Sequence, residues 1–379
     1  MKKINAIVLP LLLFPLVMVR ADGFMLASPL DYQVVQRQSA DKGRIEIAGD
    51  LGTAAASTDL IEVRISDENV TGEWQRVVAN MDGSKFHAAI EAKAGGWYRV
   101  EVRAKQGDAI LASALVEHVG IGEIFVVAGQ SNAANHGAEK QNTKTGLVSS
   151  FDGRRWGLGN DPQPGASGGG GSFMPPLGDA IAARFHVPVG FIACGIGATS
   201  VREWLPKGAR FPNPPTLTDR VQQLPGGEWE SKGDAFAMFT ARMKQAGPHG
   251  FRAVLWHQGE SDANQKDATR TLPGKLYRQY LEQIIRDSRR EIGWDAPWFV
   301  AQASYHSPAD PGSDDIRAAQ ASLWQDGIAQ QGPDSDAIKG ELRDAGGKGV
   351  HFSGPGLREH AARWAEKVAA WLEKQLGAE

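Results

Sequence analysis

Three stretches of this sequence place polar side chains directly after apolar runs. They are "GQSN" (Gly129–Asn132), "GIGATS" (Gly195–Ser200) and "HQGESD" (His257–Asp262). In the first, the hydroxyl of Ser131 is flanked by the amides Gln130 and Asn132. A serine hydroxyl is a poor nucleophile until a base takes its proton, usually a histidine oriented by a third group. The chemistry to look for is therefore acyl transfer, and the base can come from anywhere in the chain. Of the nine histidines, His87 and His118 fall among alternating strand patterns, while His186, His249 and His360 lie beside or on helical ones. His351 differs, because "GVHFSGPGLREH" reads as a loop before the last helix, from which a side chain can reach back over a sheet edge. An acyl transferase also needs preorganised donors for the developing oxyanion. The N–H of Ser131, the N–H of Gly197 and the side-chain amide of Gln258 are the candidates, and glycine at 197 lets bare backbone approach a substrate.

The elements around these stretches decide whether they can meet. From about Gly120 onward, "EIFVVAG" (Glu123–Gly129), "VPVGFIACG" (Val187–Gly195), "FRAVLWHQG" (Phe251–Gly259) and "PWFVAQAS" (Pro297–Ser304) are apolar runs of strand length. Helical patterns lie between and after them. Tyr277, Leu281, Ile284 and Ile285 share one helical face, and Leu357, Ala361, Trp364, Val368, Trp371 and Leu372 another. Fully apolar strands alternating with helices predict a three-layer α/β domain with a parallel sheet over 120–377. In such sheets ligands bind beyond the carboxyl ends of the strands, where all three polar stretches fall. Residues 30–118 instead carry short period-two runs such as "RIEIAG", "LIEVRIS", "WQRVVAN", "FHAAIEA" and "WYRVEVRA". These predict a small antiparallel β-sandwich, with no cluster of residues that would do chemistry. The Gly/Pro-rich segments "GNDPQPGASGGGGS" and "PKGARFPNPPTLTDR" read as surface loops overhanging the polar strand ends.

The first residues look like an export signal. Lys2 and Lys3 precede an apolar segment broken by Pro10 and Pro15, and Val19-Arg20-Ala21 suits cleavage after Ala21, giving a signal over 1–21. The expected location is the periplasm or the medium. No second apolar stretch is long enough to span a bilayer, so the mature chain is expected to be soluble. A net charge of −3 gives no electrostatic case for nucleic acid or an acidic membrane. The single cysteine, Cys194, excludes an intramolecular disulfide and reads as a small core residue.

Taken together, "GQSN", "GIGATSVREW", "WHQGESD" and the late "GVHFS" resemble the carbohydrate esterases of the SGNH-hydrolase superfamily. The similarity is to sialate O-acetylesterase-like proteins and related acetylxylan esterases, over Gly120 to about Trp371. It implies a flavodoxin-like SGNH sheet, Ser131 as nucleophile and His351 as base. It also implies oxyanion donors at Ser131, Gly197 and Gln258, the last standing where other SGNH hydrolases have asparagine. Ala133 replaces the last glycine of the Gly-x-Ser-x-Gly elbow, which sets the chain apart from α/β-hydrolases.

One position departs from that pattern. Many SGNH enzymes carry an aspartate three residues before the histidine, and here that residue is Lys348. A lysine cannot accept the imidazole N–H. Glu260, which fills the acid role in some relatives through "HQGE", is the first candidate to orient His351. Asp344, seven residues before the histidine, is the second, and a dyad held by a backbone carbonyl the third. Arg202 and Trp204 could bond and stack on a sugar ring, or Trp204 could belong to the core. His257 and Glu260 lack a third metal ligand or an HExxH pattern, so neither metal nor cofactor is expected. The expected activity is an exported serine esterase that deacetylates a carbohydrate. Its rivals are a lipase-like SGNH esterase and a non-catalytic carbohydrate-binding protein on a decayed esterase scaffold.

Overall fold

Alternating inward-facing apolar residues organise the first hundred residues of the computed structural model, which describes residues 23–377. The export signal expected over 1–21 lies outside the described residues. The strands are β1 (Met25–Ser28), β2 (Gln33–Gln36), β3 (Lys42–Asp50), β4 (Leu60–Ser66), β5 (Gln75–Val77), β6 (Asn80–Asp82), β7 (Lys85–Lys93), β8 (Gly95–Gln106) and β9 (Ala109–Gly129). One sheet has the antiparallel order β1–β3–β7–β6. Facing it, β5, β4, β8 and the first half of β9 pair antiparallel. Ile45, Ile47 and Phe86 of the first layer share one core with Val63, Val100 and Val102 of the second. The period-two side-chain geometry of strands gives each sheet its apolar inner face.

Strand β9 is 21 residues long and runs on from this region into the α/β sheet without a break. The following strands are β10 (Val148–Phe151), β11 (Trp156–Leu158), β12 (Val189–Ala193), β13 (Arg210–Phe211), β14 (Val221–Gln223), β15 (Trp229–Ser231), β16 (Ala253–His257), β17 (Trp298–Gln302) and β18 (Gln330–Asp334). Strands β10–β12–β9–β16–β17–β18 lie side by side and parallel, with β11 antiparallel at the edge. Strands β13 to β15 form a small separate sheet. The helices are α1 (Met174–Phe185), α2 (Asp234–Gln245), α3 (Gly274–Ile292), α4 (Asp314–Gln325), the short turn α5 (Asp344–Gly347) and α6 (Gly354–Leu376).

The alternation of β9 assigns the layers. Phe125 and Val127 pack with α1 and α6 residues such as Leu177, Ile181, Leu357 and Trp364. Ile124, Val126 and Ala128 pack with Phe239, Tyr277, Leu281 and Leu323 from α2, α3 and α4. This is the expected three-layer, flavodoxin-like arrangement: β12 and β16 flank β9, so the chain leaves it first to one side and then to the other. That reversal opens a crevice beyond the carboxyl end of β9. The four apolar runs became β9, β12, β16 and β17. Strand β18, "QQGPD", has no apolar run; it pairs with β17, and Arg317 and Arg363 bond Asp334 at its end. Cys194 is fully buried, and burial pushes its thiol up to about 12.

A buried charge cluster sits where the two regions meet on β9. Glu123, 0% exposed, accepts from Arg37 Nε and Arg252 Nε at 2.6 Å each and from Gln36 Nε2 at 2.9 Å. Removing the carboxylate strands two guanidinium groups around a buried void. Glu123→Ala is expected to cost about 3–5 kcal/mol, read as a lower urea midpoint at unchanged slope. A loss under about 1 kcal/mol would mean that the pair is as weak as a surface one.

Candidate active site

Strand β9 ends in a turn that only glycine accommodates. Gly129 has φ +128°, and a Cβ there would overlap the His257 carbonyl oxygen. Gln130 N–H donates to that same carbonyl at 3.0 Å. The Gln130 side-chain oxygen accepts from Ser261 N–H, also at 3.0 Å, tying the turn to the end of β16. One tight turn, Ser131–Ala133, follows and aims Ser131 at a cavity of about 1200 Å³. No hydrogen bond occupies the Ser131 hydroxyl among the described residues.

His351 reaches the same cavity from the loop before α6. Asn132, next to the serine, donates through Nδ2 to Glu260 Oε1 at 2.9 Å and to the Val350 carbonyl at 3.2 Å. Arg343 Nη1 donates to the same Val350 carbonyl at 2.7 Å, and its guanidinium lies over the rings of Tyr305 and Phe352. The serine turn and the histidine loop are thus fastened to each other through one carbonyl oxygen.

The carboxylate beside the imidazole belongs to Asp344, whose Oδ2 lies 3.5 Å from His351 Nδ1. The chain doubles back between them: Ala345 and Gly346 adopt left-handed conformations, and Asp344 N–H donates to the His351 carbonyl at 2.9 Å. Gly349 leaves room for this, since a Cβ there would overlap the Asp344 carboxylate. Glu260 was the first expectation for this role, and the structure corrects it. Its Oε1 is held by Asn132 and lies 3.9 Å from His257 Nδ1, and no ion pair joins it to His351. Glu260 does line the cavity, and its Oε2 has no hydrogen-bond partner.

Burial corrects two further expectations and decides between the two readings of Trp204. Gln258 is 0% exposed and does not line the cavity. Its Nε2 donates to Asp262 Oδ2 at 2.7 Å, Thr199 O at 3.1 Å and Gln130 Oε1 at 3.2 Å, so its amide braces the floor instead of facing an oxyanion. Arg202 is equally buried and cannot meet a sugar. It pairs with Asp262 at 3.2 Å and donates to the carbonyls of Asn213, Pro214 and Arg270, fastening two wall loops together. Trp204 is a core residue, packed against Trp256 and Phe239. Of the oxyanion candidates, the N–H groups of Ser131 and Gly197 remain at the cavity, and Gly197 N–H donates to Ser167 Oγ at 2.6 Å.

The walls hold residues that sequence reasoning passed over. His136 lies beside His351 with ring centroids 5.5 Å apart and meets Ser167 Oγ through Nε2 at 3.1 Å. Burial first, and the neighbouring His351 second, hold the His136 imidazole below its ordinary range. His306 contacts the Glu260 carbonyl through Nε2 and Asp310 through Nδ1, at 2.6 Å each. Thr216 and Leu217 come from the Pro-rich segment expected to overhang the strand ends, and Lys266 and Arg270 from the loop after β16. His136 is five residues from Ser131, close enough to have been weighed as a partner; His306 and Lys266 carry no local signal. Among the described residues, no group of three or more His, Cys, Asp or Glu side chains could hold a metal ion.

Residues 121–370 match the profile of the family described as carbohydrate esterase, sialic acid-specific acetylesterase. No curated protein matches the chain. Among solved structures, it is similar to a carbohydrate acetylesterase from Xanthomonas citri, with TM-score 0.52 and 16% identity over 90% of this chain and 73% of that one. An Arabidopsis thaliana protein follows at TM-score 0.47 and 17% identity, covering 65% of this chain and 98% of its own. NanS has TM-score 0.44 and 14% identity, covering 66% and 98%. At such identities the first of these speaks for a shared fold.

Proposed function

Because the chain belongs to the sialic acid-specific acetylesterase family of carbohydrate esterases, we propose that it is an exported serine esterase removing O-acetyl groups from a sugar. The observation that carries this reading is the convergence of Ser131, His351 and the Gly197 turn on one cavity beyond the carboxyl end of β9. Asp344 beside Nδ1 leaves Nε2 of His351 free to serve as the base. His351 takes the Ser131 proton as Oγ bonds to the acetyl carbon, and the carbonyl electron pair moves onto oxygen. The N–H groups of Ser131 and Gly197 face that oxyanion. Collapse breaks the bond to the sugar oxygen, which leaves with the proton from His351. Water then repeats the sequence on the acetyl-enzyme and releases acetate. No step calls for a cofactor.

The family match favours a sugar over a lipid acyl chain, and the walls carry groups such as Arg220, Asn264, Gln265 and Asp310 that can bond sugar hydroxyls. A decayed, purely binding scaffold is disfavoured by the unoccupied Ser131 hydroxyl at the same cavity as a histidine that keeps its carboxylate. The amino-terminal basic and apolar segment supports export.

The test is acetate release from O-acetylated sugars, together with mass spectrometry of a quenched burst with p-nitrophenyl acetate. One acetyl group is expected on the peptide containing Ser131. Sugar binding without acetate release would instead establish the binding-protein reading.

A further inference from the structure

Burial of the Gln258 amide leaves the oxyanion site one donor short of the three that the sequence offered. A different group stands in the vacated role. Ser167 lies in the glycine-rich segment between β11 and α1, lines the cavity with Ser131, and places its Oγ 2.6 Å from Gly197 N. We propose that the Ser167 hydroxyl is the third oxyanion donor of this enzyme, with His136 as the residue that positions it. The inference rests on the acyl-transfer reading above and deepens it.

Position comes from the backbone on both sides. Ser167 N–H donates to the Gly195 carbonyl and Asn135 N–H to the Ser167 carbonyl, each at 2.9 Å. Residue 167 is thereby strapped between the exit of the Ser131 turn and the second glycine turn, whatever its side chain. A hydroxyl has one hydrogen to give and two lone pairs to receive. In the free enzyme Gly197 N–H uses one lone pair, and His136 Nε2 stands 3.1 Å away. A neutral His136 protonated on Nε2 fills the other, which leaves the Ser167 hydrogen to donate elsewhere. An acyl oxygen that accepts from Gly197 N–H must come to the place Ser167 Oγ now holds. Rotation about the Ser167 Cα–Cβ bond releases the N–H and turns the hydroxyl hydrogen onto the same oxygen. The resting hydrogen bond keeps the site polar and filled, and the donor is spent only when negative charge develops.

The isosteric pair Ser167→Val and Ser167→Thr separates the hydroxyl from the volume, with Ser167→Ala as a second hydroxyl-free variant. All are assayed on p-nitrophenyl acetate and labelled at Ser131 with an organophosphonate. Ser167→Val and Ser167→Ala are expected to lower kcat roughly 100-fold at nearly constant KM, as for loss of one oxyanion donor. Ser167→Thr should stay within about fivefold of the parent enzyme, because it keeps the donor. Hydroxyl-free variants that keep kcat, or that change KM alone, overturn the proposal. So does a threonine variant as slow as the valine one, since packing would then explain both. If the organophosphonate fails to label Ser131 in the unmodified protein, the acyl-enzyme reading itself is wrong, a result the variants do not produce.

Discussion

Ser131→Ala is expected to abolish esterase activity, by a factor on the order of 10⁴ or more in kcat, while the thermal midpoint stays nearly unchanged. The rate loss follows because, in the proposed mechanism, the acyl-enzyme forms on that hydroxyl alone. Stability is spared for a specific reason: the Ser131 hydroxyl makes no hydrogen bond, and the turn is built by backbone and by the side chains of Gln130 and Asn132. His351→Ala should cost a similar factor, and the double variant little more, since nucleophile and base act as one unit. Steady-state kinetics on p-nitrophenyl acetate, with a thermal melt of each variant, measure both quantities. If Ser131→Ala kept more than about a tenth of the parent rate, Ser131 would lose the role of nucleophile. A stability loss without a rate loss would make the residue structural.

Asp344→Asn is the second large effect, expected to lower kcat by roughly 10²–10⁴ with KM little changed. The asparagine keeps the shape but not the charge that stabilises the imidazolium formed as Ser131 loses its proton. It can also present its NH₂ to Nδ1 and favour the wrong tautomer. Glu260→Gln is the matched comparison, since Glu260 lies at the same cavity but holds Asn132. A glutamine can still accept from Asn132, so turnover should remain within about tenfold of the parent enzyme. The reverse ranking, with Glu260→Gln the slower enzyme, would return the orienting role to Glu260. Equal and small losses in both would leave His351 working as one half of a dyad.

The contrast between these two acids shows where sequence reasoning stopped. Glu260 stands at the end of an apolar strand, where side chains near the site are found by rule, and so it looked like the partner of His351. Asp344 looked remote because seven residues separate it from the histidine. Distance along the chain became nearness in space through the left-handed conformations at Ala345 and Gly346 and the bare backbone of Gly349. No local pattern announces such a fold-back, because it is stabilised by Arg343 and Asn132 acting on the Val350 carbonyl from outside the loop.

What the sequence by itself determined is the framework and the stretches around Ser131 and His351 that meet at the cavity. Apolar runs of strand length, each followed by glycine and polar residues, specify a parallel sheet with chemistry beyond its carboxyl ends. Strand-end position is a local property, so the placement of Ser131 and Gly197 at the cavity was legible, and that of His351 was legible from its loop before the last helix. Burial is not local, and it decided the remainder. Gln258, Arg202 and Trp204 are polar or aromatic residues at or just after strand ends, indistinguishable in sequence from residues that face a ligand. The fold closes over them because Asp262 and the Asn213–Pro214 carbonyls reach Arg202, and the Thr199 carbonyl reaches Gln258, from other segments, while Thr199 Oγ1 takes the Trp204 N–H from five residues away. Ser167 took the opposite course. It lies in a glycine-rich segment that reads as surface loop, and hydrogen bonds to the Gly195 carbonyl and from the Asn135 N–H bring it to the cavity. Which polar groups face the substrate depends on which partners the rest of the chain delivers, and only the tertiary structure settles that.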